Sequence, residues 1–310
     1  MKRITLLLLL CFNSYLTGAG MKEHTKKPTK IAIIEHLNSK WTTPITQAFQ
    51  SSLNSTGEDL RFNWYIFNEG KKDQIKKDIV DWKPDVIFMP DEVIYRAFAK
   101  DLSVETNAHI STFFSAMLKE DILPIKNQSG VYNNYQSDQI FKMLNEMIPV
   151  KKLGIIGGPL GKDAIELIKK RLKGQVSIDS FIELTWFEYR DRLMKMESEY
   201  DAIWLLLPFG VMDGDKWVDH RKLLPIIKSY KKPTIGFGYI DSIHRTITVG
   251  MVPEKIGSNC ASVVYSVIFK KNNPEIKDYH SYDMDINAEH AARFNLKITN
   301  DMAHFLRGTS

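Results

Sequence analysis

The sequence predicts an α/β protein made of two doubly wound parallel-sheet lobes. Three observations carry that prediction. Short continuous apolar runs suit strands buried on both faces, stretches of helical spacing separate them, and the same order recurs in two successive halves. A length of 310 residues fits two domains at roughly 100–200 residues each.

The elements follow in turn. Ile31–Ile34 is the first buried run, and residues 44–55 place Ile45, Ala48, Phe49 and Leu53 at helical spacing. Residues 62–67 are rich in aromatic and β-branched types, and 71–82 form a charged amphipathic helix. Lys83-Pro84-Asp85 turns the chain into the buried run 86–89, before a helix over 92–100 and a strand over 110–114. The second half predicts a helix over 138–147, a strand over 152–156, a helix over 162–173 and a strand over 180–184. A helix over 189–199, a strongly apolar strand over 202–207, a helix over 219–231 and a strand over 234–237 complete it. In open parallel sheets ligands bind at the carboxyl ends of the strands, so two such lobes would face each other across a cleft.

Composition narrows the function classes. With 44% apolar and 25% charged residues the chain is neither collagen-like nor disordered. A formal charge of +5 is dispersed rather than gathered in a basic stripe, so no nucleic-acid partner is expected. The opening residues 1–20 combine Lys2 and Arg3, an apolar run and Thr17-Gly18-Ala19, the order of a cleaved export signal. The run is shorter than the roughly 20 residues of a membrane span. A lipid anchor at Cys11 is disfavoured because Leu10 stands where a small residue is wanted. Cleavage removes Lys2, Arg3 and Cys11, lowering the charge from +5 to +3 and leaving Cys260 as the sole thiol, so no internal disulfide can form. Periplasmic localisation is the resulting expectation.

Several segments resemble the substrate-binding proteins of ABC transporters, in the branch linked to aromatic and other hydrophobic amino acids. Lys30–Ile34 looks like the opening strand of that family, and Trp82–Ile87 resembles its Lys-Pro-Asp strand. Ser129-Gly130-Val131 is similar to its crossover, Ile148–Gly154 to the start of its second lobe, and Asp201–Leu205 to its Asp-Ala-x-Trp strand. Ile286-Asn287, Ala291 and Asn295-Leu296 resemble its tail. The resemblance spans about Lys30 to Ile298 and departs from the family at Pro90-Asp91-Glu92 and Ser115-Ala116-Met117. It implies a type I periplasmic-binding architecture whose lobes are joined by a multi-strand hinge. It also implies an N-terminal lobe of residues 30–128 plus 245–279, and a C-terminal lobe of 129–244 plus 280–310. The second crossing would fall near Tyr239 to His244, with Val249 to Phe269 returning to the first lobe as a strand and a helix.

Candidate ligand-binding residues sit where strands end. Asn38, Ser39 and Trp41, with His36, lie between the first strand and its helix, where free backbone N–H groups could hold a carboxylate; capping explains the Ser and Asn equally well. Asp91 precedes a helix and reads foremost as its cap, with pairing to a cationic ligand group as the alternative. Phe114 and Ser115 end one strand, and strand alternation requires one of Phe113 and Phe114 to point inward. Phe209 and Tyr239 offer aromatic walls in the second lobe, and Gly158 a glycine-rich turn. Gly157–Lys162 is no phosphate loop, since Ile156 and Asp163 occupy positions that need Gly and Ser/Thr. No His or Cys spacing suggests a metal, no cofactor is expected, and Cys260 reads as a buried core residue.

The functional expectation is a non-catalytic solute-binding protein that closes around a small organic ligand, an amino acid being one option, and delivers it to an ABC transporter permease. The alternatives are a periplasmic sensor for a membrane signalling protein and an exported hydrolase. No nucleophile elbow or metal triad supports the last.

Overall fold

The computed structural model describes residues 27–37, 39–114, 121–133, 136–208, 210–237, 245–279 and 282–307. The expected export signal, 1–20, lies outside them.

The first sheet is wholly parallel. It contains β1 (Thr29–His36), β2 (Leu60–Phe67), β3 (Val86–Met89), β4 (His109–Phe114), β5 (Gln128–Asn133) and the late strand Ile276–Tyr279. The order across it is late strand, β5, β4, β3, β1, β2. Helices α1 (Thr42–Asn54), α2 (Lys72–Trp82) and α3 (Glu92–Glu105) connect the early strands. Strand alternation sends Ile31 and Ile33 of β1 to one face and Ala32 and Ile34 to the other. On the first face they meet Ile45, Phe49 and Leu53 of α1 with Ile256, Cys260 and Val264 of a later helix. On the second they meet Ile75 and Ile79 of α2 with Ile94, Phe98 and Leu102 of α3. Continuous apolar runs therefore form strands here because both faces are covered.

The second sheet repeats the scheme. After α4 (Ser137–Met147) come β6 (Lys152–Gly157), α5 (Lys162–Leu172), β7 (Ser177–Ile182), α6 (Trp186–Glu199) and β8 (Ala202–Leu205). A small hairpin, β9 (Met212–Asp213) with β10 (Lys216–Trp217), precedes α7 (Leu224–Ser229), β11 (Thr234–Phe237) and β12 (Ile247–Met251). The chain then runs through α8 (Pro253–Ile268), β13 (Ile276–Tyr279, the late strand of the first sheet), β14 (Tyr282–Asn287), α9 (Ala288–Arg293) and β15 (Leu306–Arg307). The sheet order is β15-β14-β12-β11-β8-β6-β7, parallel except where β12 and β14 run antiparallel. Residues of α4, α5 and α9 cover one face and residues of α6 and α7 the other.

Two expected exchange points are corrected. Residues 129–133 belong to the first sheet, because β5 is hydrogen-bonded between β4 and β13. Its polar sequence hid it. Residues 245–251 stay in the second sheet, where β12 lies between β11 and β14, so the return to the first begins with α8 and ends with β13. In chain order β5 of the first sheet is followed by α4, β12 of the second sheet by α8, and β13 of the first sheet by β14 of the second. The predicted helix 219–231 begins instead as a 3-10 turn, His220–Leu223, and α7 starts with Pro225 in its first turn, a position where the missing N–H costs nothing. Strand β7 begins three residues earlier than the spacing predicts.

Candidate functional site

The carboxyl ends of the parallel strands form two rims. On the first, β1 ends at His36 and α1 begins at Thr42. Ser39 Oγ accepts from the backbone N–H of Thr42 at 3.0 Å and of Trp41 at 3.3 Å. It therefore satisfies donors that the helix start leaves open. The half-buried Trp41 packs against the α1–α8 core. Glu35, one residue before the strand end and 9% exposed, accepts from Thr46 Oγ1 at 2.8 Å.

After β3, Asp91 does two things at once. Its Oδ1 accepts from Ile94 N–H at 2.9 Å, capping α3, while its Oδ2 stands 3.1 Å from His36 Nε2. The hydrogen bond to Asp91 raises the His36 pKa above 6.5, against the opposing effect of burial. The His36 ring also meets Phe67 edge-on at 5.4 Å. Both Asp91 oxygens are thus engaged within the protein, and the cap expected from sequence is present. The His36 partnership joins two residues 55 positions apart, which no local pattern encodes.

Phe114 is the last residue of β4. Its ring is fully buried and packs edge-on to Tyr95 at 5.0 Å, while Phe113 is buried on the opposite sheet face. Strand alternation sends both into helix-covered layers, so neither lines an open cleft. On the second rim, Gly158 follows β6 and leads into the 3-10 turn Pro159–Gly161. Asn38, Ser115, Phe209 and Tyr239 lie outside the described residues. Cys260 is a free thiol buried in the first lobe, its pKa pushed up by burial.

Two features were not anticipated. Arg96 of α3 reaches across to Asp163 of α5, Nη2 to Oδ2 at 3.2 Å, which brings the helix starts on the two rims together. The rims also collect apolar side chains. Leu37, Ile66 and Val93 on the first, with Leu160, Leu184 and Phe187 on the second, are most of the ten large apolar residues exposed among the described residues. Exposed apolar residues scattered singly need no explanation. Here six of the ten stand near strand ends or helix starts of the two rims.

No family model matches the sequence, and no curated protein does. Solved structures match in fold. A conserved domain protein from Vibrio cholerae superposes with a TM-score of 0.62 at 18% identity, covering 92% of this chain and 100% of that one. An ABC domain in complex with L-Trp from Streptococcus pneumonia gives 0.67 at 16% identity, covering 91% and 99%. The ligand-free, open form of a substrate-binding protein with adhesive properties from Clostridium difficile gives 0.67 at 13%, also covering 91% and 99%. The chain therefore has the two-lobed α/β fold of type I periplasmic binding proteins. LacI transcriptional regulators share that fold, so architecture alone does not assign the activity.

Proposed function

We propose that this protein is a non-catalytic solute receptor of an exported compartment, which closes on a small organic ligand with an apolar body and presents it to an ABC transporter. One observation carries this reading: exposed apolar side chains are concentrated on the two rims where α/β sheets bind ligands. Such clefts hold their ligand chiefly through apolar and aromatic contact, with a few polar groups fixing orientation. Among the described residues, Ser39, Trp41 and Gly158 follow strand ends and keep the ligand-contact role as a proposal from sequence. Asn38, Ser115, Phe209 and Tyr239 retain that role as a proposal from sequence. Among the structures alike in fold are a substrate-binding protein, an ABC domain in complex with L-Trp and an ABC transporter solute-binding protein in complex with D-arabinose, which supports a small-ligand receptor. Closure then follows from the ligand binding the shut form more tightly than the open one.

The test is a thermal-shift screen of the purified protein against aromatic and aliphatic amino acids, sugars and purines. A saturable rise with aromatic or branched aliphatic compounds is expected. At a ligand concentration of 100 Kd the stabilisation is about 2.7 kcal/mol. Shifts confined to sugars would overturn the apolar-ligand reading. Turnover of ester or phosphate substrates without any shift would overturn the receptor reading itself.

A further inference from the structure

Arg96 and Asp163 are the charged members of two matching surfaces. Arg96 lies on α3 of the first sheet and Asp163 in the first turn of α5 of the second. Three residues before each stands an exposed apolar side chain, Val93 at 55% and Leu160 at 57%. Val93 and Arg96 share a face of α3, and Leu160 stands in the 3-10 turn that leads into α5, so each lobe presents an apolar group within one turn of a charge opposite in sign to its counterpart. The ion pair is already made at 3.2 Å, while the apolar groups beside it remain open to solvent.

We propose that Arg96 and Asp163 form a latch between the lobes that favours the approach of the two rims. Asp163 suits this role because the N-terminal turn of α5 favours a negative charge. The pair is half-exposed, with side-chain exposures of 55% and 33%, so it biases an equilibrium rather than locking it. Breaking it shifts the open-to-closed ratio by roughly two- to fivefold. The latch operates whatever the ligand, and its test needs none.

Nitroxide labels at Val104→Cys and Lys173→Cys report the separation of the lobes by pulsed electron paramagnetic resonance. Val104 is 82% exposed on α3, Lys173 follows α5 on the surface, Cys260 is buried, and Cys11→Ser removes the other thiol. Arg96→Glu and Asp163→Arg, each alone, are expected to redistribute the distances by that factor, and Arg96→Glu with Asp163→Arg to restore them. Arg96→Gln, which removes the charge without reversing it, gives a smaller redistribution in the same direction. Identical distributions in every variant, or a double reversal that resembles the single ones, would overturn the latch.

Discussion

His36 Nε2 lies 3.1 Å from Asp91 Oδ2, tying the last residue of β1 to the residue that caps the helix after the neighbouring strand β3. One carboxylate thus holds a helix start with one oxygen and an imidazole with the other. The first rim is shaped by that double engagement.

Its pH dependence follows from the sign of the shift. The folded His36 pKa is raised above the ordinary 6.5, chiefly by the Asp91 hydrogen bond. The stabilisation from the pair is therefore fully present below about pH 6.5 and fades as pH rises through the raised value. Asp91→Asn keeps a good cap but removes the charge. The His36 midpoint, read by NMR titration, should fall in this variant, and its melting-temperature deficit should be larger at pH 5.5 than at pH 8.5. Asp91→Ala loses the cap as well and costs about 1 kcal/mol more.

Acid should weaken the first lobe through a different histidine. His109 is buried beside Ser129, Nε2 to Oγ at 2.6 Å, and burial lowers its pKa to about 4. The folded state resists protonation that the unfolded chain accepts at 6.5. Stability is whole above pH 6.5 and is lost as pH falls towards 4, by up to about 3 kcal/mol. Urea unfolding at a series of pH values should show this slope, and His109→Gln should flatten it.

The α1–α8 contact depends on a missing side chain. A Cβ on Gly257 would lie 2.1 Å from the carbonyl oxygen of Ile45 and 2.9 Å from Ala48 Cβ. Gly257→Ala must push the helices apart, at about 1–3 kcal/mol, measured as a lower urea midpoint. Ser258→Ala next to it removes only an exposed hydroxyl pair with Ser52 and should change stability by less than about 0.5 kcal/mol.

Phe88 and Phe49 stack with ring centroids 3.9 Å apart, joining β3 to α1 inside the first core. Phe88→Ala opens a cavity there and should cost about 3–5 kcal/mol by equilibrium unfolding.

Elements whose evidence is local were legible in the sequence. Ile31–Ile34, Val86–Met89 and Ala202–Leu205 declare buried strands by unbroken apolar composition, and the cap at Asp91 follows from its place before α3. The strand Gln128–Asn133 was not legible, because its residues are mostly polar and it becomes a strand by hydrogen-bonding between β4 and β13. Phe114 looked available for a ligand because nothing local reveals that Tyr95 packs against it.

The linear chain determined the alternation of strands and helices, the doubling of that pattern and the strand ends at which a ligand would sit. These rest on periodicity and on backbone rules that act over a few residues. Only the tertiary structure decided that β12 stays in the second sheet, that His36 meets Asp91 and that Arg96 meets Asp163. Strand pairing and ion pairs between residues dozens of positions apart depend on how the elements stack, and that stacking is settled by the burial of whole faces at once.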